Sequence, residues 1–209
     1  MLHIDPHPLL ELHAFTTDWD PPLGAMPSPD WLQDLIAADS VALGFSQPGD
    51  VHKAVVRDLL RHGGFKPSGR SKPCWEYMRG MTERGRFPRI NPAVDATNLA
   101  ALHGALPVST VDADRLNGGL RIGLAEAGAR YVFNASGQEI DVSGLLCLFD
   151  EDGPCANAVK DAQRTKTHEG TVSTLTLVWS TRELPERGRR LAEWQMGLHA
   201  RLGGRCERV

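Results

Sequence analysis

Three polar side chains stand in a segment that otherwise has the composition of a buried helix. Asp95, Thr97 and Asn98 lie within residues 94–102, where all the remaining positions are Val, Ala or Leu. A helix with so little polar surface packs on most sides, so a carboxylate, a hydroxyl and an amide there need hydrogen-bond partners. A neighbouring strand could supply them, or the three groups could position a bound ligand. Both interpretations follow from the residues alone.

Ser109 is a second candidate for chemistry. Together with His103 and Asp112 it supplies the residue types of a nucleophilic triad. Their order along the chain matches no known nucleophile turn, so a triad is not expected. The three histidines within the first 13 residues have a spacing that suits no regular metal site. Neither a metal nor an organic cofactor is therefore expected.

The helix that carries Thr97 can be delimited from capping signals. Asn91 and Pro92 indicate its start, because an Asn side chain caps free amides and Pro loses no hydrogen bond at the first helical position. Gly104 is predicted to end it.

Helices dominate the predicted first half of the chain and strands the second. One helix is expected to begin at residues 28–30, a second to be capped by Asp50 and a third to lie between residues 71 and 83. A short strand is predicted at Ser40–Phe45. After two adjacent glycines the pattern changes to short β-like runs, at residues 120–125, 130–134, 145–149 and 172–179. A last amphipathic helix begins near Glu186. Helices, then strands, then a closing helix indicate an α+β fold.

Length and composition limit the number of domains and the class of protein. The 209 residues suffice for one substantial core, and a single domain over residues 1–209 is predicted, with a loop-rich part at 1–50 and a closing helix at 183–205. Apolar residues make up 41% and charged residues 23%, and no apolar run has the roughly 20 residues that a membrane-spanning helix needs. No targeting segment is evident, and four scattered cysteines fit reduced thiols, so a cytoplasmic protein without membrane contact is expected.

A basic stretch stands out against a net charge of −3. Residues 66–89 interleave Lys and Arg with Trp75, Tyr77 and Phe87, as segments that bind an RNA backbone and stack its bases do. A solvated helix face would have the same pattern. The acidic total argues against a protein that coats nucleic acid indiscriminately, and DNA is not expected as a partner. The candidate RNA-binding residues are Lys66, Arg70, Lys72, Arg84, Arg86 and Arg89, with Lys166 further along the chain.

Several motifs recur in the order of a known family. Residues 88–92 read PRINP, residues 94–98 read VDATN, residues 107–112 read PVSTVD, and residues 161–166 read DAQRTK. This arrangement resembles the B3/B4 domain of the phenylalanyl-tRNA synthetase β subunit, in which a V-D-x-T-N helix precedes a P-L-H-A-F-D-like loop. It resembles free-standing B3/B4 proteins still more closely. The resemblance covers residues 51–180.

The resemblance implies a β/β/α layered domain with a pocket between sheet and helix, in which the synthetase relative hydrolyses mischarged tyrosyl-tRNA. By position, the catalytic residues would be Thr97, Asn98 and Ser109, and the substrate would contact Asn91, Asp161, Arg164 and Leu177. Asp161 could hold Arg164 or an amino group. The implied partner is the aminoacylated 3′ end of a tRNA, with a free amino acid as the alternative ligand.

Two positions depart from the family pattern. Ser109 stands where the family loop has histidine, and Leu177 stands where a glutamate recognises tyrosine. No carboxylate occurs at residues 171–182, so tyrosine would not be selected by the family's route. The predicted function is therefore a deacylase for another mischarged amino acid, and the alternative is a non-catalytic RNA- or amino-acid-binding module. The deacylase requires an open cleft that reaches Asn98, whereas Leu177 and Trp179 filling that space would favour the module.

Overall fold

Strands and helices are mixed along residues 2–209, which the computed structural model describes. The strands are β1 (Leu2–Ile4), β2 (Leu10–Asp18), β3 (Val108–Asp112), β4 (Leu120–Leu124), β5 (Arg130–Val132), β6 (Glu139–Asp141), β7 (Leu146–Asp150), β8 (Gly153–Asn157), β9 (Ser173–Thr181) and β10 (Arg205–Arg208). The helices are α1 (Asp30–Asp34), α2 (Asp50–Arg61), α3 (Cys74–Thr82), α4 (Pro92–Gly104) and α5 (Pro185–Arg201). The predicted α+β class is confirmed. Within the described residues, no helix has the length and apolar character needed to cross a membrane.

Two four-stranded sheets form the frame. The first sheet has the strand order β1-β4-β7-β8 and the second sheet has the order β10-β2-β9-β3, while β5 and β6 form a separate hairpin. β1 runs parallel to β4, and the other neighbouring strands are antiparallel. β9 pairs with β2 along its whole length and with β3 on its other side. It therefore lies in the interior of the second sheet.

Alternate side chains of β9 face different layers. Leu175, Leu177 and Trp179 join the core between the two sheets, while Val178 joins a second core with Leu191 of α5. Successive side chains of a strand point to opposite faces, so one strand contributes to both cores. α4 and α5 cover the outer face of the second sheet. The layers are sheet, sheet and helices, which is the β/β/α order that the resemblance implies.

The start of α4 is the predicted one. Asn91 Oδ1 accepts a hydrogen bond from the N–H of Val94 at 3.0 Å, and Pro92 occupies the first helical position. The end differs by one residue, because Gly104 is still helical and Ala105 takes the left-handed conformation with φ 51°. Gly104 is needed for space, since a Cβ there would lie 2.4 Å from a methyl carbon of Leu191.

The prediction that helices come first and strands after them is wrong, because the first 50 residues contain two strands between their loops. β1 and β2 lie in this part, and β2 is an interior strand between β9 and β10. The sequence pattern did not predict β2, because Glu11, His13 and Thr17 interrupt its apolar residues. The neighbouring strands determine the pairing of β2. Ser40–Phe45 is a turn closed by a hydrogen bond between its two end residues, not a strand.

Three boundaries also need correction. The PVSTVD segment, expected as a loop, forms β3 from Val108 onward and pairs with β9. The closing helix ends at Arg201 instead of residue 205, and β10 follows it and pairs with β2. Asp50 is the first residue of α2, with Gly49 at the capping position.

Helix α5 directs two buried polar residues, Gln195 and His199, towards the second sheet. His199 Nδ1 hydrogen-bonds to Thr17 Oγ1 at 3.0 Å, while its Nε2 has no partner within residues 2–209. The rings of Phe15 and Trp19 lie 5.4 and 5.0 Å from the imidazole, centroid to centroid. Burial lowers the pKa of His199 from 6.5 to about 3, because the imidazolium would lose its hydration.

Acid should therefore destabilise the fold through His199. The imidazole of His199 binds a proton near pH 6.5 in the unfolded chain but only near pH 3 in the native protein. The contribution of the neutral, buried side chain to the free energy of unfolding is therefore complete above pH 6.5 and is lost as the pH falls towards 3. His199→Gln should reduce the loss of unfolding free energy between pH 7 and 5 by about 2 kcal/mol. Urea unfolding at both pH values measures this. His3→Gln, at an exposed position, is the control, and equal pH dependence in the two variants would contradict the assignment.

Candidate functional site

Thr97 is buried on the helix-facing side of the second sheet. Its hydroxyl donates to the carbonyl of Ala93 at 2.8 Å, lies 2.6 Å from Thr110 Oγ1 and accepts a hydrogen bond from Gln195 Nε2 at 3.0 Å. Thr110 continues the chain of hydroxyls to Thr176 at 3.0 Å. A hydroxyl has one hydrogen and two lone pairs, so Thr97 has used its whole capacity within the protein.

Ser109 lies on the opposite side of the same sheet. Its hydroxyl is 2.7 Å from Asp161 Oδ1 and 3.0 Å from the carbonyl of Asn157, and it accepts a hydrogen bond from Trp179 Nε1 at 3.0 Å. Ser109 and Thr110 are consecutive in β3, so their side chains point to opposite faces. The structure therefore does not bring Thr97 and Ser109 together, although the resemblance predicts that they share a pocket.

The space around Ser109 is filled by large side chains. Leu177 is its cross-strand neighbour in β9, and both Leu177 and Trp179 are completely buried in the core between the sheets. The indole ring lies against Ser109 through the N–H that bonds the hydroxyl. The region where the resemblance implies a histidine and a glutamate is thus closed by an indole and a leucine.

The remaining polar residues of the PRINP and VDATN motifs are placed differently. Asp95 accepts hydrogen bonds from Ser28 Oγ at 2.6 Å and from the N–H of Ile90 at 2.8 Å, so it ties two loops to α4. Asn91, besides capping α4, donates from its amide to Thr167 Oγ1 at 3.0 Å. Asn98 is half-buried, and its amide has no hydrogen bond to another residue within 2–209.

Asp161 is the acid next to Ser109. Its Oδ1 accepts hydrogen bonds from the Ser109 hydroxyl at 2.7 Å and from the N–H of Asn157 at 3.2 Å. Burial raises the pKa of Asp161 from 3.8 to about 6, although both hydrogen bonds and the charge of Lys166 oppose the rise. Asn157 extends the cluster, because its side-chain amide donates to the Tyr131 hydroxyl.

The sequence suggested that Asp161 could hold Arg164, but the two side chains do not pair. The two terminal nitrogens of Arg164 bond the two carboxylate oxygens of Asp150 at 2.7 and 2.6 Å, and one also donates to the carbonyl of Gly153 at 3.0 Å. The Asp150 side chain is completely covered. A forked guanidinium–carboxylate pair of this kind fixes the β7–β8 turn, so most of the Arg164 donors are engaged inside the protein.

The basic segment lies at the surface. Candidate side chains that are exposed and form no ion pair within the described residues are Lys66, Arg70, Arg84, Arg86 and Arg89. Lys72 is half-buried, and Arg84 is exposed with one nitrogen 3.3 Å from the Met81 sulfur. Of the interleaved aromatics, Trp75 is buried and only Tyr77 is largely exposed. Base stacking is therefore open to Tyr77 and closed to Trp75.

Two cavities of the described chain lie away from these residues. One, of about 120 Å³, lies between β2, α5 and β10. The other, of about 280 Å³, is bordered by β2, Arg182 and Pro185. Neither borders Asn98 or Ser109, so neither is the cleft that a deacylase of the predicted kind requires.

Comparison with known proteins assigns the family. The sequence model of the B3/4 domain matches residues 68–181, which is more than half of the chain. The chain belongs to the B3/4 domain family. The motifs that carried the resemblance, from VDATN to DAQRTK, lie inside the matched range.

Two relatives of this B3/4 protein are beta subunits of phenylalanine–tRNA ligase. The one from Thiobacillus denitrificans is 32% identical over 102 residues, which are 48% of this chain and 13% of the relative. The one from Lactiplantibacillus plantarum is 31% identical over 169 residues, which are 70% of this chain and 19% of the relative. The chain thus spans less than a fifth of the length of these relatives.

Sequence reasoning missed three members of the Ser109 and Arg164 clusters, Asn157, Tyr131 and Asp150, and it named Trp179 only as a side chain that could fill the cleft. Trp179 carried a usable signal, because an indole N–H in a buried strand needs an acceptor. Asp150 directly follows the run predicted as a strand at residues 145–149, and nothing in the sequence marks it as the partner of Arg164. For Asn157 and Tyr131 the sequence contains no such signal, since their contact depends on how the β5–β6 hairpin packs on β8.

Asp161→Asn should stabilise the protein near neutral pH. The pKa of Asp161 is about 6 in the native protein and 3.8 in the unfolded chain. Its contribution to the free energy of unfolding is therefore complete below pH 3.8 and is lost as the pH rises through 6. The Asn side chain still accepts a hydrogen bond from Ser109. Relative to wild type, the variant should therefore gain about 2 kcal/mol of unfolding free energy between pH 4.5 and 7. Urea unfolding measures the gain. Asp34→Asn, at an exposed site, is the control, and a similar gain there would contradict the role of burial.

Proposed function

We propose that this B3/4 protein is a tRNA-associated binding module that does not hydrolyse aminoacyl esters at the pocket of its synthetase relatives. One observation carries the proposal. The Ser109 hydroxyl, at the position of the family's histidine, is enclosed between the sheets by Trp179, Asp161 and Asn157. The association with tRNA is inferred from the relatives, which are named as phenylalanine–tRNA ligase subunits.

Hydrolysis of an ester needs a group that positions water or takes its proton. The single hydrogen of the Ser109 hydroxyl is committed to Asp161 Oδ1 and the carbonyl of Asn157, and one of its lone pairs accepts the Trp179 N–H. It therefore has no hydrogen left to orient a water, and a neutral hydroxyl is too weak a base to take a proton from one. Thr97 uses its hydrogen and both lone pairs within the protein, on the other face of the sheet. Leu177 contributes an apolar wall, which discriminates weakly between similar substrates.

Binding of RNA is supported by the charge distribution. The chain has a net charge of −3, yet Lys66, Arg70, Arg86 and Arg89 are exposed without ion-pair partners among the described residues. Unpaired cations are available to displace counterions from phosphates, which gives binding a steep salt dependence. Tyr77, which is 49% exposed, offers a stacking surface within the same segment.

A deacylase acting on an amino acid other than tyrosine is the second candidate. Asn98 favours it, because its half-buried amide has no hydrogen bond to another described residue. An unpartnered amide on α4 could position the ester or an attacking water. The ribose hydroxyl of the substrate would then assist, and positioning would supply most of the rate.

Two measurements on the intact protein test the proposal: affinity for a phenylalanine-accepting tRNA and deacylation of a panel of misacylated tRNAs. We expect binding that weakens steeply with salt and no acceleration of ester hydrolysis, in the wild type and in Asn98→Ala alike. Turnover that Asn98→Ala abolishes would establish the deacylase instead. Absence of binding to any tRNA would refute both functions.

The basic segment can be tested by salt titration. Each lost phosphate contact lowers the slope of log affinity against log salt by about 0.7 to 0.9, so Arg86→Gln/Arg89→Gln should lower it by about 1 to 2. Arg201→Gln/Arg205→Gln removes the same charge from exposed positions outside the segment and should leave the slope unchanged. Equal slopes in the two double variants would contradict the assignment of the segment.

A further inference from the structure

A cavity of about 280 Å³ lies where the pairing of β2 with β9 ends. Its walls are Leu10 and Glu11 of β2, Arg182 directly after β9, and Pro185 at the first position of α5. Its volume is slightly below that of pockets that hold drug-sized molecules, so a ligand there would have only a few non-hydrogen atoms. Two walls are apolar, and the other two carry opposite charges.

Arg182 is anchored to β2 through one side of its guanidinium. Its backbone N–H donates to the carbonyl of Leu9 at 2.8 Å, and its Nε donates to the carbonyl of Leu10 at 3.2 Å. The two terminal nitrogens form no hydrogen bond and no ion pair within residues 2–209. Because a guanidinium has five N–H groups, four donors of Arg182 are left for a ligand.

Glu11 is a carboxylate that lacks hydrogen-bond donors. Its side chain is 29% exposed, and neither oxygen accepts a hydrogen bond within the part of the chain that the structure describes. Oε2 is covered, whereas Oε1 is accessible and lies 3.7 Å from Nε2 of His13. Burial lowers the pKa of His13, so its imidazole is uncharged near neutral pH and does not neutralise Glu11.

Glu11 and Arg182 border one cavity without forming an ion pair with each other. Each therefore keeps hydrogen-bonding capacity that a bound molecule can use. A molecule with a carboxylate and an ammonium group satisfies both, because a guanidinium bonds a carboxylate through two N–H groups and a carboxylate accepts from an ammonium group. A molecule with only one of these charges satisfies one wall and leaves the other without a partner.

We infer that this cavity binds a small free amino acid, whose carboxylate contacts the terminal nitrogens of Arg182 and whose ammonium group contacts Glu11 Oε1. The rest of the ligand is short and aliphatic, because Leu10 and Pro185 form the remaining walls. All four lining residues lie outside residues 68–181, which match the B3/4 domain. The site is therefore separate from the family motifs and does not rest on the proposed function.

Nuclear magnetic resonance titration of the ¹⁵N-labelled protein tests the inference, with the backbone amide signals of Glu11 and Arg182 as reporters. Alanine and γ-aminobutyrate carry both charges at different spacings, while propionate and ethylamine carry one charge each. We expect saturable shifts with alanine or γ-aminobutyrate. Propionate and ethylamine should bind at least about tenfold more weakly, which corresponds to about 1.4 kcal/mol.

Two variants separate ligand contact from a structural role. Arg182→Gln should weaken binding of the amino acid and of propionate, each about tenfold. Glu11→Gln should weaken the amino acid about tenfold but strengthen propionate, because it removes a negative charge that repels the propionate carboxylate. The matched controls Arg205→Gln and Glu207→Gln change exposed positions of β10 outside the cavity and should bind as the wild type does. Thermal unfolding of each variant verifies that it is folded.

Three results would overturn the inference. The first is the absence of saturable shifts with both amino acids, and the second is propionate or ethylamine binding as tightly as the amino acid. The third is a Glu11→Gln variant in which propionate weakens together with the amino acid, since loss of structure and not of a contact would then explain the change. Binding of tRNA is measured separately, so the proposed function and this site can fail independently.

Discussion

The burial of β9 on both faces is the constraint on which the rest of the structure depends. The strand is paired on both edges and covered by a sheet on one side and helices on the other. Every side chain along it must therefore find a partner in one of two closed layers. Thr174 and Thr176 meet Trp19 and Thr110 on the helix side, and Trp179 meets Ser109 between the sheets.

This alternation divides the polar residues of the B3/4 motifs into two separate networks. The hydroxyls of Thr97, Thr110 and Thr176 form a closed chain under the helices, which ends at Gln195. The cluster around Ser109, with Trp179, Asn157 and Asp161, is closed between the two sheets. Polarity in the core of this protein thus serves mainly to fix which layer packs on which.

The sequence predicted elements whose signals are local. The cap of α4 at Asn91 and the apolar runs of β7 and β9 have signatures within a few residues, and the family motifs identified the layers. β2 and β3 were missed because polar residues interrupt their apolar pattern, and because they pair with strands that are distant in the sequence. Partner choice was equally inaccessible: Gln195 lies 98 residues from Thr97, and Arg164 selects Asp150 over the nearer Asp161.

The contact between Ser109 and Trp179 has an evolutionary consequence. The small hydroxyl leaves room for the indole and accepts its N–H, so each residue makes the other tolerable in a closed core. A larger side chain at position 109, such as histidine, would meet the indole ring in a closed core, and the indole N–H would lose its acceptor. A substitution of Ser109 therefore requires a compensating change at Trp179, so these two positions can change only together.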